Sequence, residues 1–188
     1  MALPKEIVIY EVGPREGFQI EDQIIATEDK VKFVNQINQS GLKSIEVTSF
    51  VNPKLVPNMA DAQAFLAQIE RNANVDYRTV YLNVKGLNRA IEEDVKIDGV
   101  VSISASNIFA KRNTNKTSDE LLGTIPQWVE AYQQIGIPVD QFAVMATFGC
   151  NFEGEISLEQ VMSTLRKGRT LLEENGETLR KLKLCDTM

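Results

Sequence analysis

A parallel α/β architecture, of the kind that closes into a (β/α)₈ barrel, is the fold class predicted here on three observations. Short runs rich in β-branched residues alternate with amphipathic helical patterns along the whole of the 188 residues. Runs such as Ile7-Val8-Ile9-Tyr10 and Gly99-Val100-Val101 are continuously apolar, as parallel strands covered on both faces must be. Six strands and five helices amount to about 34 residues per βα unit, so eight units would need about 270 residues, the usual barrel size. A doubly wound sheet would be complete at six strands. Its best sequence mark is missing, because Gly13-Pro14-Arg15-Glu16-Gly17 cannot match G-x-G-x-x-G. The expectation is a single domain over 1–188, a partial TIM barrel that breaks off on a strand end at Asp186-Thr187-Met188.

Taken in order, strands are expected at Ile7 to Val12, Ser44 to Thr48, Arg78 to Leu82, Gly99 to Ile103, Gln141 to Thr147 and Lys181 to Cys185. The first helix should begin at Thr27 as its cap, with Glu28 and Asp29 in the opening turn. It should bury Val31, Val34 and Ile37 and stop before Gly41. Ser118 is expected to cap the fourth helix, and Pro126 in its interior should bend or divide it. Ser157 and Gln160 form a capping box for the fifth, Val161, Leu165 and Leu172 make its apolar stripe, and Gly176 ends it.

Composition excludes several functions. Twenty basic residues are scattered among 26 acidic ones for a net charge of -6, which argues against a nucleic-acid partner. No apolar run is long enough for a membrane span and no secretory leader is visible, so a cytoplasmic protein is expected. Cys150 and Cys185 read as reduced thiols. There is no histidine, and any mechanism must do without one.

In parallel α/β folds ligands bind beyond the carboxyl ends of the strands. Those positions are polar here: Glu11, Arg15, Glu16 and Gln19 after the first strand; Glu46, Thr48 and Ser49 at the second; Asn83 at the third; Ser104, Ser106 and Asn107 at the fourth; Thr147 and Asp186 at the last two. Carboxylates beside a guanidinium suit a hard divalent cation and an anionic or enolate-forming substrate. They equally suit a loop ion pair between Arg15 and Glu16, with Glu11 and Glu46 in structural hydrogen bonds. Spacing alone leaves both readings open.

The run Glu11-Val-Gly-Pro-Arg-Glu-Gly-Phe-Gln19 resembles the first-strand signature of the 3-hydroxy-3-methylglutaryl-CoA (HMG-CoA) lyase family, V-G-P-R-D-G-x-Q. Ile45-Glu46-Val47-Thr48-Ser49-Phe50-Val51, with Pro53-Lys54 and Val56-Pro57, is similar to that family's second strand and loop. Ala105-Ser106, Lys111-Arg112-Asn113 and Asn115 match its fourth-strand loop, Gly149-Cys150 with Glu153-Gly154 its fifth, and Leu184 with Asp186-Thr187 its sixth.

The resemblance implies retro-aldol cleavage of an acyl-CoA substrate, HMG-CoA, to acetyl-CoA and acetoacetate on a divalent cation, Mg²⁺ or Mn²⁺. Carried over by position, Arg15 steadies the oxygen that gains charge. Glu16 falls on a metal ligand, Gln19 and Glu46 support the network around it, Ser49 and Asp186 line the substrate end, and Ser106 joins the substrate contacts. Glu16 stands where the family has Asp, a change of roughly 1 Å in carboxylate position; Lys183 replaces a usual serine and Cys185 a usual glycine. The family's His-x-His ligands follow the sixth strand, so weak or absent cation binding is expected. A catalytically silent scaffold, and an aldol-type acyl transferase of the isopropylmalate synthase kind, are the alternatives. Unpaired strand edges lead us to expect self-association.

Overall fold

The computed structural model describes residues 5–188. They gather into two compact units, one running to Ile97 and the other from Asp98 to Met188. Each is described by itself.

In the first unit, α1 (Gly13–Ile20) and α2 (Thr27–Ile37) precede β1 (Ser44–Ser49). A 3₁₀ turn (Pro57–Met59), α3 (Ala62–Leu66), β2 (Asp76–Val80) and α4 (Val84–Ala90) follow. β1 and β2 pair in parallel from Ser44↔Asp76, with a register shift between Glu46 and Thr48 that ends on Ser49↔Val80. Val34, Ile45, Val47, Phe65 and Leu66 fill the core between strands and helices. β1 alternates Ile45 and Val47 with polar residues, yet five of its six residues are buried, so both faces of this parallel strand are covered.

Three expectations need correction in this unit. Residues 7–10 form no strand, and Ile7 to Tyr10 are 57–78% exposed. Only Glu11 reaches the ladder: its N–H donates to Ser44 O at 3.0 Å and its carbonyl accepts from Glu46 N–H at 2.7 Å, in parallel bridging to Ile45. A β-prone run becomes a strand only where a neighbour supplies the hydrogen bonds. The residues read as a loop around Arg15 are helical, with Pro14 in the first turn, where its missing N–H costs nothing. Thr27 does not cap α2. Ala26 holds the cap position, and the Thr27 hydroxyl donates instead to Asp61 Oδ2 at 2.6 Å.

The second unit runs β3 (Val100–Ser104), α5 (Asn107–Thr114), α6 (Ser118–Leu122), α7 (Ile125–Gln134), β4 (Gln141–Met145), α8 (Leu158–Glu174) and β5 (Lys181–Leu184). Its sheet order is β3-β4-β5, all parallel and in unbroken register. The expected fourth helix is divided, and Pro126 lies in the first turn of its second piece, α7. Its cap is Thr117 and not Ser118, because Ser118 is already the first helical residue and Thr117 stands three before Glu120, the spacing that closes a capping box. Ser157 and Gln160 cap α8 as their spacing predicts. Val101, Phe142, Val144, Tyr132 and Leu172 form the core.

α8 lies on β4 through Gly168. A Cβ there would stand 2.1 Å from Phe142 Cζ, with two further ring atoms within 2.7 Å, and the ring is wholly buried. Gly168→Ala is expected to destabilise the chain by about 1–3 kcal/mol through overpacking, despite alanine's better helix propensity. A higher melting temperature for the alanine variant would refute this close approach.

Candidate active site

The first unit brings together three of the predicted residues. α1 begins two residues after Glu11, and Glu11 Oε1 accepts the Gly13 N–H at 2.6 Å, tying the helix start to the residue that bridges to β1. Two residues on, Arg15 Nε donates to Glu46 Oε1 at 2.7 Å, joining α1 to β1. Arg15 Nη1 also donates to Glu16 Oε2. Arg15 is 18% exposed, Glu46 22% and Glu16 52%, so the guanidinium is half sheltered between two carboxylates. Five N–H donors belong to a guanidinium and these pairs use two, which leaves it able to meet a substrate oxygen. Gln19, one turn further along α1, is half-buried. Ser49 at the end of β1 is fully buried, and its Oγ has no hydrogen-bond partner among the described residues.

The second unit holds the other two. Ser106, fully buried, caps α5 by accepting the Phe109 N–H at 3.1 Å. Its hydroxyl can donate to Cys150 Sγ at 3.1 Å, and Glu153 Oε2 competes for the same hydrogen. Cys150 sits at a tight return, with Cys150 N–H donating to Gly154 O at 2.8 Å and Gly154 N–H donating back at 2.7 Å. Asp186 is exposed beyond β5, next to Thr187, whose Oγ1 accepts the Ala146 N–H at 2.8 Å. Glu153 and Asn58 are polar partners to which the sequence motifs assign no role. Glu153 lay inside a matched segment, and Asn58 directly after Val56-Pro57, but spacing gives no hint of what either bonds.

Two thiols behave oppositely. Burial pushes the Cys150 thiol up, but hydrogen bonding to Ser106 and to the Phe152 and Glu153 N–H groups outweighs it and holds the group below its ordinary value, against the Glu153 charge. Cys185 is pushed up by burial, with Lys183 opposing. A thiolate absorbance titration should therefore show Cys150 ionising first. Ser106→Ala should move that first step to higher pH and Glu153→Gln to lower pH; the reverse order would refute the assignment.

A divalent cation needs converging oxygen donors. Glu16 and Glu46 are both turned to Arg15, and among the described residues no three His, Cys, Asp or Glu side chains gather where they could hold a metal ion. The residues present do not compose a cation site by themselves.

The HMGL-like family model matches residues 6–187. The chain belongs to the HMGL-like family. Hydroxymethylglutaryl-CoA lyase YngG of Bacillus subtilis is 37% identical to it over 162 residues, 86% of this chain and 54% of that protein. The crystal structure of a B. subtilis HMG-CoA lyase matches with a TM-score of 0.82 at 35% identity, over 98% of this chain and 59% of that one. An HMG-CoA lyase from Acinetobacter baumannii, solved in complex with coenzyme A and 3-methylmalate, matches at 0.79 and 32% identity, over 96% of this chain and 56% of its own. The HMGL-like chain thus spans about half the length of the curated relative it matches. Its fold class is the one predicted, α/β with parallel strands, the fold of part of a (β/α)₈-barrel lyase.

Proposed function

We propose that the protein serves the carbon–carbon lyase chemistry of its relatives, retro-aldol cleavage of 3-hydroxy-3-methylglutaryl-CoA to acetyl-CoA and acetoacetate. In that reaction the C3 hydroxyl loses its proton, the bond between C2 and C3 breaks to leave the ketone of acetoacetate, and the electron pair passes to the acetyl-CoA enolate, which is then protonated. The observation that carries the reading is the Arg15 guanidinium on α1, oriented by Glu46 at 2.7 Å and half sheltered from water. A fixed cation aimed at an oxygen that gains charge lowers the barrier because its dipoles need not reorganise. Glu46 holds that group by its hydrogen bond, and Gln19, one turn along α1, is proposed to support the surrounding network. Ser49, Ser106 and Asp186 are proposed as substrate contacts on the family resemblance alone, and the orphan Ser49 hydroxyl has hydrogen-bonding capacity to give. Glu16 is the proposed cation ligand of this chain, and it must first leave Arg15; Mg²⁺ or Mn²⁺ would supply Lewis acidity.

The test is release of acetyl-CoA and acetoacetate from HMG-CoA by the purified chain with Mg²⁺ or Mn²⁺ present. Products at a rate above background support the reading. A chain that binds coenzyme A without turnover would be the silent scaffold, which the carboxylates' commitment to Arg15 favours.

Among the described residues no helix is long and apolar enough to cross a membrane. A cytoplasmic location is a separate proposal, as for the relative from Rattus norvegicus named cytoplasmic. Self-association is proposed through the exposed Ile7 to Tyr10 segment and through β5, an edge strand with all four residues exposed. Sedimentation velocity should give a weight-average mass that rises with concentration; a constant 21.0 kDa species would rule it out.

A further inference from the structure

Asn58, in the 3₁₀ turn after β1, is 4% exposed, and its side chain commits its hydrogen bonds to one stretch of backbone. Oδ1 accepts the Ile25 N–H at 2.9 Å, while Nδ2 donates to Glu21 O at 2.9 Å and to Gln23 O at 3.1 Å. Glu21 is the residue that closes α1, the helix carrying Arg15 and Gln19. The turn itself is anchored from two other sides. Buried Lys30 of α2 donates to the Asn58 carbonyl and to Asp61 Oδ1 at 2.8 Å, and the Thr48 hydroxyl of β1 donates to Met59 Sδ at 3.4 Å.

α1 has eight residues and buries only Pro14 and Phe18, the latter edge-on to Phe33 of α2 at 5.5 Å. A helix that short does not hold itself together in water, so tertiary anchors must set its direction. Its start is held by Glu11 and its middle by Phe18. Asn58 holds its end, and each of the three amide bonds falls on the segment that a tilt of α1 would drag. We propose that Asn58 is a positioning residue for the Arg15 site: it fixes α1 against the turn that follows β1, and so keeps the guanidinium on Glu46. This rests on reading Arg15 as the group that meets the substrate oxygen.

The measurement is the ¹H–¹⁵N signal of Arg15 Nε–H in the full chain, assigned by its loss in Arg15→Lys. In the parent chain its hydrogen should exchange slowly, being bonded to Glu46. In Asn58→Ala exchange should quicken by about tenfold or more, the factor that one net hydrogen bond represents. Should that variant not fold, Asn58→Asp keeps the shape and the Ile25 acceptor but loses both donors, and it should quicken exchange likewise. Tyr77→Phe, which removes the hydroxyl bonds to Asn38 and Asn72 elsewhere in the same unit, controls for general loosening and should leave the signal unchanged. Slow exchange in a folded Asn58 variant, or equal quickening in Tyr77→Phe, would overturn the proposal. Turnover plays no part in this readout, so a chain without lyase activity defeats the proposed function and leaves the test of Asn58 standing.

Discussion

Arg15→Gln is expected to lower turnover of 3-hydroxy-3-methylglutaryl-CoA by about 10²–10³-fold, the loss typical of removing one preorganised donor from a developing oxyanion. The fall should lie in kcat more than in KM, because the charge that Arg15 meets grows only as the carbon–carbon bond breaks. Arg15→Lys should recover little. A lysine ammonium is a point charge and cannot hold Glu46 through Nε while offering a planar fork to the substrate. Steady-state release of acetyl-CoA reads all three proteins. Near-parental kcat in Arg15→Gln would remove Arg15 from the mechanism, and no release by the parent chain would remove the mechanism itself.

Asp61→Ala is expected to cost about 3–5 kcal/mol of folding stability, a large part of the 5–15 kcal/mol a domain of this kind possesses. Lys30 is 4% exposed at its side chain and lies 2.8 Å from Asp61, so deleting the carboxylate leaves a buried ammonium without a counter-charge and with the Asn58 carbonyl as its acceptor. The same deletion takes the acceptor of Thr27 Oγ1. Lys30→Met should cost much less, because Asp61 is 24% exposed and keeps both water and Thr27. Denaturant titrations followed by circular dichroism give both values. Equal losses in the two variants would mean that the pair is more hydrated than its burial suggests.

These two sites differ in how far sequence reasoning reaches them. Arg15 was found because its neighbours Gly13, Pro14, Gly17 and Gln19 sit in an ordered run, and order along a chain is visible without a structure. That its partner is Glu46 was not visible, since the two are 31 residues apart and only the parallel approach of Glu11 to Ile45 brings them together. Asp61 and Lys30 carried no signal at all; a lysine in a helical pattern reads as a solvated face until packing buries it. Cys150 and Ser106 lie 44 residues apart, and their contact, with the shift it causes in the thiol, arises only when β3 and β4 pair.

The same division runs through the fold. The capping box at Ser157, the break at Pro126 and the apolar run at Gly99-Val100-Val101 depend on residues a few positions apart, and are legible without a structure. Thr27 and the run from Ile7 to Tyr10 satisfied the same local rules and went another way. Thr27 lies inside the first turn, after the cap position at Ala26, and its hydroxyl donates to Asp61, while Ile7 to Tyr10 met no neighbouring strand. Sequence alone therefore determined the fold class, the family and most element positions, because propensity and periodicity are short-range. Tertiary structure decided which β-prone run became a strand, which carboxylate holds Arg15 and which amide anchors its helix, because each of those needs a partner 31 to 37 residues away, or the want of one.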